Sequence, residues 1–111
     1  MKKGIEKDEK LKIAISRLKL KFMKNTDALL HGDLHTGSIM VTKKDTKVID
    51  PEFAFYGPMG FDIGALIANL LMSYFSQTGH KKKIRERKMY KKWLLEIIKT
   101  IWIEFEKKFL N

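Results

Sequence analysis

Residues 31–62 read HGDLHTGSIMVTKKDTKVIDPEFAFYGPMGFD, and this stretch decides how the rest of the 111-residue chain is read. It carries two of the three histidines, both prolines, and the carboxylates Asp33, Asp50, Glu52 and Asp62. Its first eight residues hold Gly32 and Gly37 and few apolar side chains, the composition of a loop with demanding backbone geometry. Ile39-Met40-Val41 and Thr46-Lys47-Val48-Ile49 read as two strands joined at Thr42-Lys43-Lys44-Asp45, a β-hairpin. Pro51 ends the second strand or confines it to an edge. Residues 53–60 read as irregular and aromatic. Antiparallel pairing brings the bases of the two strands together, so Asp33 and Asp50 approach in space although distant in the chain. Acids gathered on such a loop repel unless a cation or tight hydrogen bonds offset the charge. Mg²⁺ suits carboxylate, water and phosphate oxygens, and an acid left free of metal can take a proton from a hydroxyl. That division of labour belongs to phosphoryl transfer.

Outward from this centre the chain reads as helix. In residues 5–24, Leu11, Ile15, Leu18 and Phe22 recur at steps of four, three and four, an apolar stripe. Asn25-Thr26-Asp27 marks a turn, and Ala28-Leu29-Leu30 fits a short buried strand. A helix is expected to start near Asp62, with that carboxylate as its cap, and to bury Ile63, Leu66, Ile67, Leu70, Leu71 and Tyr74 before ending at Gly79. Residues 81–109 read as one long helix, or two joined by a bend. Tyr90, Trp93, Ile97, Ile101 and Phe105 form its expected buried face, and Leu94, Ile98 and Trp102 widen it. Residues 81–92 hold eight basic residues and one acid and read as a solvated face. The order of elements gives an α+β class, mainly helical with one β-hairpin, in a single domain over 1–111.

Composition bounds the function. The chain is 44% hydrophobic, enough for a core and against wholesale disorder. It has no cysteine, which excludes disulfides and thiolate metal sites. The net charge of +10 is mostly lysine and shows neither the patterned stripe nor the motif of a nucleic-acid reader, so no specific nucleic-acid partner is expected. A positive field favours phosphorylated ligands in a general way. No apolar run is long enough to cross a bilayer, so no membrane partner and a cytoplasmic location are expected. His31 and His35 suggest a histidine–aspartate hydrolase cluster only superficially, since the third histidine, His80, sits in a remote turn.

HGDLHTGS followed by VIDPE resembles the catalytic loop and metal-binding segment of the aminoglycoside and choline kinase-like phosphotransferases, and HGDLHTGSI with DPEFAFYGPMGFD resembles the methylthioribose kinase family within them. Ser38 stands where the wider superfamily has asparagine, in agreement with that family. The resemblance runs through nearly the whole chain. It implies a protein-kinase-like C-terminal lobe and a reaction dependent on ATP and Mg²⁺, phosphorylation of the anomeric hydroxyl of S-methyl-5-thioribose in methionine salvage. It implies Asp33 as catalytic base or orienting carboxylate, Ser38 as a catalytic helper, Asp50 as Mg²⁺ ligand and Glu52 as a second metal or metal-water ligand. His31, Gly32, His35, Gly37 and Asp62 would brace the loop or support the substrate pocket. Kinases of this type also need a nucleotide-covering loop and a phosphate-contacting lysine, and neither is recognisable before Asp27. The expectation is therefore a C-terminal-lobe fragment, inactive alone, whose partners are a small sugar, a separate N-terminal kinase lobe and, as in the family, a second copy. The alternative is a non-catalytic fragment or interaction domain that keeps a kinase-like core.

Overall fold

The computed structural model describes residues 7–79 and 83–110. The expected helix start at residue 5, His80 and the first two lysines of the basic run lie outside them. The elements in order are helix α1 (Glu9–Lys24), strand β1 (Ala28–Leu30), a 3-10 turn (Thr36–Ser38), strands β2 (Ile39–Val41), β3 (Thr46–Val48) and β4 (Phe55–Gly57), helix α2 (Gly60–Ser76), a 3-10 turn (Gln77–Gly79), helix α3 (Ile84–Phe105) and a closing π-turn (Glu106–Leu110). This is a mainly helical α+β arrangement with two small antiparallel sheets.

The hairpin forms where the alternation places it, with Ile39 opposite Val48, Met40 opposite Lys47 and Val41 opposite Thr46. Its tip is closed by Thr42, whose backbone N–H donates to the Asp45 carbonyl at 2.8 Å and whose Oγ1 accepts from the Asp45 amide at 3.0 Å. The expectation of a single hairpin is corrected by a second ladder. β1 pairs with β4 antiparallel, Ala28 opposite Gly57 and Leu30 opposite Phe55. Residues 55–57 thus form a strand rather than irregular chain. The pairing puts Leu30 and Gly57 in the interior and leaves Tyr56 65% exposed, the inside–outside alternation of a strand. Gly57 is needed for packing, since a Cβ there would stand 2.7 Å from the Phe55 ring and 3.0 Å from Leu30. The β1–β4 ladder encloses the β2–β3 ladder, so residues 31–38 and 49–54 are two unpaired segments held between them.

The core lies between α2 and α3. Leu66, Leu70 and Leu94 are buried together, with Leu34, Ile39, Tyr74, Ile97, Ile98 and Ile101 packed around them. The expected face of α3 holds at Tyr90, Ile97, Ile101 and Phe105, and departs at the two tryptophans. Leu94 is its centre at 1% exposure, while Trp93 remains 52% exposed and Trp102 also lies in the open. Trp93 stacks on Tyr90, ring centroids 5.5 Å apart, and Tyr90 itself packs against the core. The helix ends at Phe105 and gives way to the wider π-turn over Glu106–Leu110.

α1 forms as its pattern dictates. Asp8 caps it, accepting from the Leu11 amide at 3.0 Å, and Lys21 and Lys24 sit in its last turn, where cations suit the helix dipole. None of its residues is buried. Its ring contacts with the remaining fold are at Phe22, whose ring meets Phe55 at 5.5 Å and Phe61 at 5.3 Å. No helix among the described residues is long and apolar enough to cross a membrane.

Candidate active site

The two segments held between the ladders carry His31, Gly32, Asp33, His35, Gly37 and Ser38 on one side and Asp50 and Glu52 on the other. One imidazole joins them. His31 Nε2 donates to the Ile49 carbonyl at 2.7 Å, and His31 Nδ1 accepts from the Asp33 backbone N–H at 3.2 Å. A carbonyl can only accept and an amide N–H can only donate, so the ring is held as the Nε2–H tautomer. The backbone at Asp33 is thereby tied to the residue before Asp50. A second tie is the Ile49 amide, which donates to the Ser38 carbonyl at 2.8 Å.

Asp62 holds the same loop from the other side. Its carboxylate accepts from the His31 amide at 2.6 Å and the Gly32 amide at 3.0 Å. It does not cap its own helix: α2 begins at Gly60 with Met59 at the cap and no side-chain hydrogen bond there. Asp62 lies in the first turn of α2 and spends both oxygens on the loop. Gly32 has φ +87°, and a Cβ would meet the Phe53 carbonyl oxygen at 2.3 Å, so glycine is required both for conformation and for space. Gly37 has no positive φ, and what a Cβ there would meet is the His35 ring, at 2.7 Å.

Ser38 is 2% exposed. Its hydroxyl donates to the His35 carbonyl at 2.8 Å and accepts from the His35 amide at 3.1 Å, which turns it into the loop's interior. His35 Nδ1 accepts from the Gly37 amide at 3.1 Å, and its Nε2 faces the Asp33 carboxylate at 3.8 Å. The Asp33 and Asp50 side chains are exposed. Asp50 adopts φ +58°, a left-handed conformation that aspartate tolerates better than most residues. Glu52 is exposed in the turn that follows, where the Ala54 amide donates to the Pro51 carbonyl. Among the described residues no three His, Asp or Glu side chains converge as a metal-binding group.

Sequence reasoning missed Asn69. Its Oδ1 accepts from the Thr36 amide at 3.0 Å and fastens the 3-10 turn of the loop to α2. The available signal was an amide side chain within the otherwise apolar run Ile67–Met72.

The loop that carries Asp33 is thus tied to the residue before Asp50 by the His31 imidazole and the Ile49 amide. Residues 6–93 match the sequence profile of the phosphotransferase enzyme family, and the chain belongs to that family. Its relatives there include methylthioribose kinases. It is 58% identical over 108 residues to methylthioribose kinase 1 of Oryza sativa subsp. japonica, covering 97% of this chain and 25% of the relative. It is 54% identical over 101 residues to the methylthioribose kinase of Escherichia coli O45:K1, covering 91% and 24%, and 47% identical over 98 residues to that of Bacillus mycoides, covering 86% and 25%. The chain spans about a quarter of the length of these curated relatives.

Proposed function

We propose that this chain is the catalytic-loop portion of a methylthioribose kinase, a C-terminal-lobe unit that phosphorylates the anomeric hydroxyl of S-methyl-5-thioribose from ATP when joined to a polypeptide supplying the nucleotide-covering loop and the phosphate-contacting lysine. The observation that carries the reading is the His31 bridge, which links the backbone of Asp33 to the residue preceding Asp50. In this reading Asp33 orients the sugar hydroxyl and accepts its proton as the oxygen bonds to the γ-phosphorus and ADP leaves. The donor set fits Mg²⁺, because Asp50 and Glu52 offer hard carboxylate oxygens exposed beside the loop, and Mg²⁺ completes its sphere with phosphate and water. When bound, the ion would neutralise charge on the transferring phosphates. Ser38 supports the geometry from within the loop, and Asp62 and Gly32 hold its shape. The proposed setting is the cytoplasm, in methionine salvage.

The test co-expresses the full chain with the remaining polypeptide of the rice relative and follows Mg-ATP-dependent formation of the sugar 1-phosphate. Turnover that falls by about a thousandfold or more on Asp33→Ala or Asp50→Ala is expected. Absence of turnover from the assembled, folded pair overturns the reading. A second reading, a non-catalytic module with a retained kinase-like core, is favoured by the uncovered face of α1. It predicts no Mg-ATP binding by the chain in calorimetry, with or without the added polypeptide.

A further inference from the structure

The amides of the 3-10 turn over Thr36–Ser38 are served from different places. Gly37 donates to His35 Nδ1 at 3.1 Å and Ser38 to the His35 carbonyl at 3.0 Å, both within the loop. The first N–H of a helical turn has no partner inside it. At Thr36 the acceptor comes from another element, Asn69 Oδ1 on α2, at 3.0 Å. Asparagine is a poorer helix former than leucine or alanine, and here it interrupts an apolar run of α2. The bond across to the loop accounts for its place there. This contact joins two segments of the chain itself, so it stands whatever the remaining length of a kinase covers.

α2 grips the loop twice. Asp62 and Asn69 are seven residues apart, two turns along one face of the helix and about 10 Å along its axis. Asp62 takes the His31 and Gly32 amides, and Asn69 takes the Thr36 amide. Asp33, Leu34 and His35 are the residues between the two grips, and they alternate as an extended segment does. Leu34 turns inward and packs against the core of Leu66, Leu70 and Leu94. The Asp33 and His35 side chains stay 56% and 45% exposed and face each other at 3.8 Å. A segment this short, fixed at both ends, has little freedom in how it presents Asp33. Without the Thr36 bond, the polar ties from α2 come from the Asp62 side alone.

We propose that Asn69 is a positioning residue of the phosphotransfer site, acting through the Thr36 amide to keep the Asp33 carboxylate directed at the sugar hydroxyl. The inference rests on the kinase reading and adds to it a residue outside the loop motif.

The test uses the full chain co-expressed with the remaining polypeptide of the rice relative, with steady-state kinetics and native-state hydrogen exchange on the same pair. Asn69→Leu should lower kcat by about tenfold or more, while KM for the sugar and for Mg-ATP stays within about twofold. Asn69→Asp keeps an oxygen acceptor for the Thr36 amide and should stay within about threefold of the unaltered pair. Thr36→Pro removes the donor at the first position of the turn, where proline fits, and His35 already has the extended backbone that suits the residue before proline. It should lower kcat as Asn69→Leu does, and combining the two should add nothing. Ala68→Leu, exposed beside Asn69, should leave kcat unchanged. The Thr36 amide should exchange about fivefold or more faster in Asn69→Leu and not in Asn69→Asp, with the Leu66, Leu70 and Leu94 amides unchanged. Full turnover in Asn69→Leu, equal losses in the leucine and aspartate variants, additive losses with Thr36→Pro, a rise in KM at constant kcat, or equal acceleration at the core amides would each overturn the inference and leave the kinase reading in place. No turnover from the unaltered pair removes the kinase reading and this inference with it.

Discussion

Replacing Asp62 by alanine removes both acceptors that hold the His31 and Gly32 amides. A hydrogen bond to a charged group contributes about 1.5–3 kcal/mol. The two share one half-buried carboxylate, so their effects do not add in full, and about 2 kcal/mol of loop stability is expected to be lost. Asp62→Asn should be nearly as damaging. The amide has one oxygen, and its NH₂ would face the second backbone N–H, donor against donor. Native-state hydrogen exchange reads this directly: the His31 and Gly32 amides should exchange about thirtyfold faster in both variants. The Leu66, Leu70 and Leu94 amides report the core between α2 and α3 and should change much less. Unchanged exchange at 31 and 32, or wild-type behaviour of the asparagine variant, would refute the claim that Asp62 works as a two-pronged acceptor. Equal acceleration at loop and core would mean that the carboxylate holds the whole fold and not the loop.

Two further substitutions test the packing. Gly32→Ala combines a left-handed φ with an overlap on the Phe53 carbonyl and should lower stability by about 3 kcal/mol. Gly64→Ala, where nothing lies within 4 Å, should raise it by about 0.5–1 kcal/mol, and urea midpoints at constant slope compare the pair. Leu94→Ala, at the centre of the core, should cost about 3 kcal/mol. Leu95→Ala, half-exposed beside it, should cost about 1 kcal/mol, and similar losses at the two positions would move the core off Leu94.

Local patterns carried much of the fold. Alternation and a polar tip gave the β2–β3 hairpin, and helical periodicity gave α1, α2 and most of α3. What stayed hidden depends on distant partners. Phe55-Tyr56-Gly57 pairs with Ala28–Leu30, a distant partner, and with Gly57-Pro58 at its end the run reads locally as irregular chain. A local reading makes Asp62 a cap, and only the family resemblance turned it toward the loop, because the amides it serves are some thirty residues upstream. On α3 the spacing placed Trp93 on the buried face, but the facing leucines of α2 take Leu94 as the centre and leave the indole at the edge. Asn69 was illegible because its partner, the Thr36 amide, is named by the fold and not by the neighbouring residues. The loop motif was legible because its residues act within a few positions of one another, as His31 with Asp33 and His35 with Ser38 do.

The nesting of the two ladders has a consequence for length. Each unpaired segment is pinned at both ends, by Leu30 opposite Phe55 and by Ile39 opposite Val48. The chain between those pins is short, so little loop-closure entropy separates the folded segments from alternative paths. Residues added at the 42–45 tip lie outside the enclosed region and pass no displacement through the inner ladder. One residue added between Leu30 and Ile39, or between Val48 and Phe55, has nowhere to go except into the spacing of Asp33 and Asp50, or into a register slip that turns a whole strand over. The chain thus has a tolerant end and an intolerant middle, separated by three paired residues on each side.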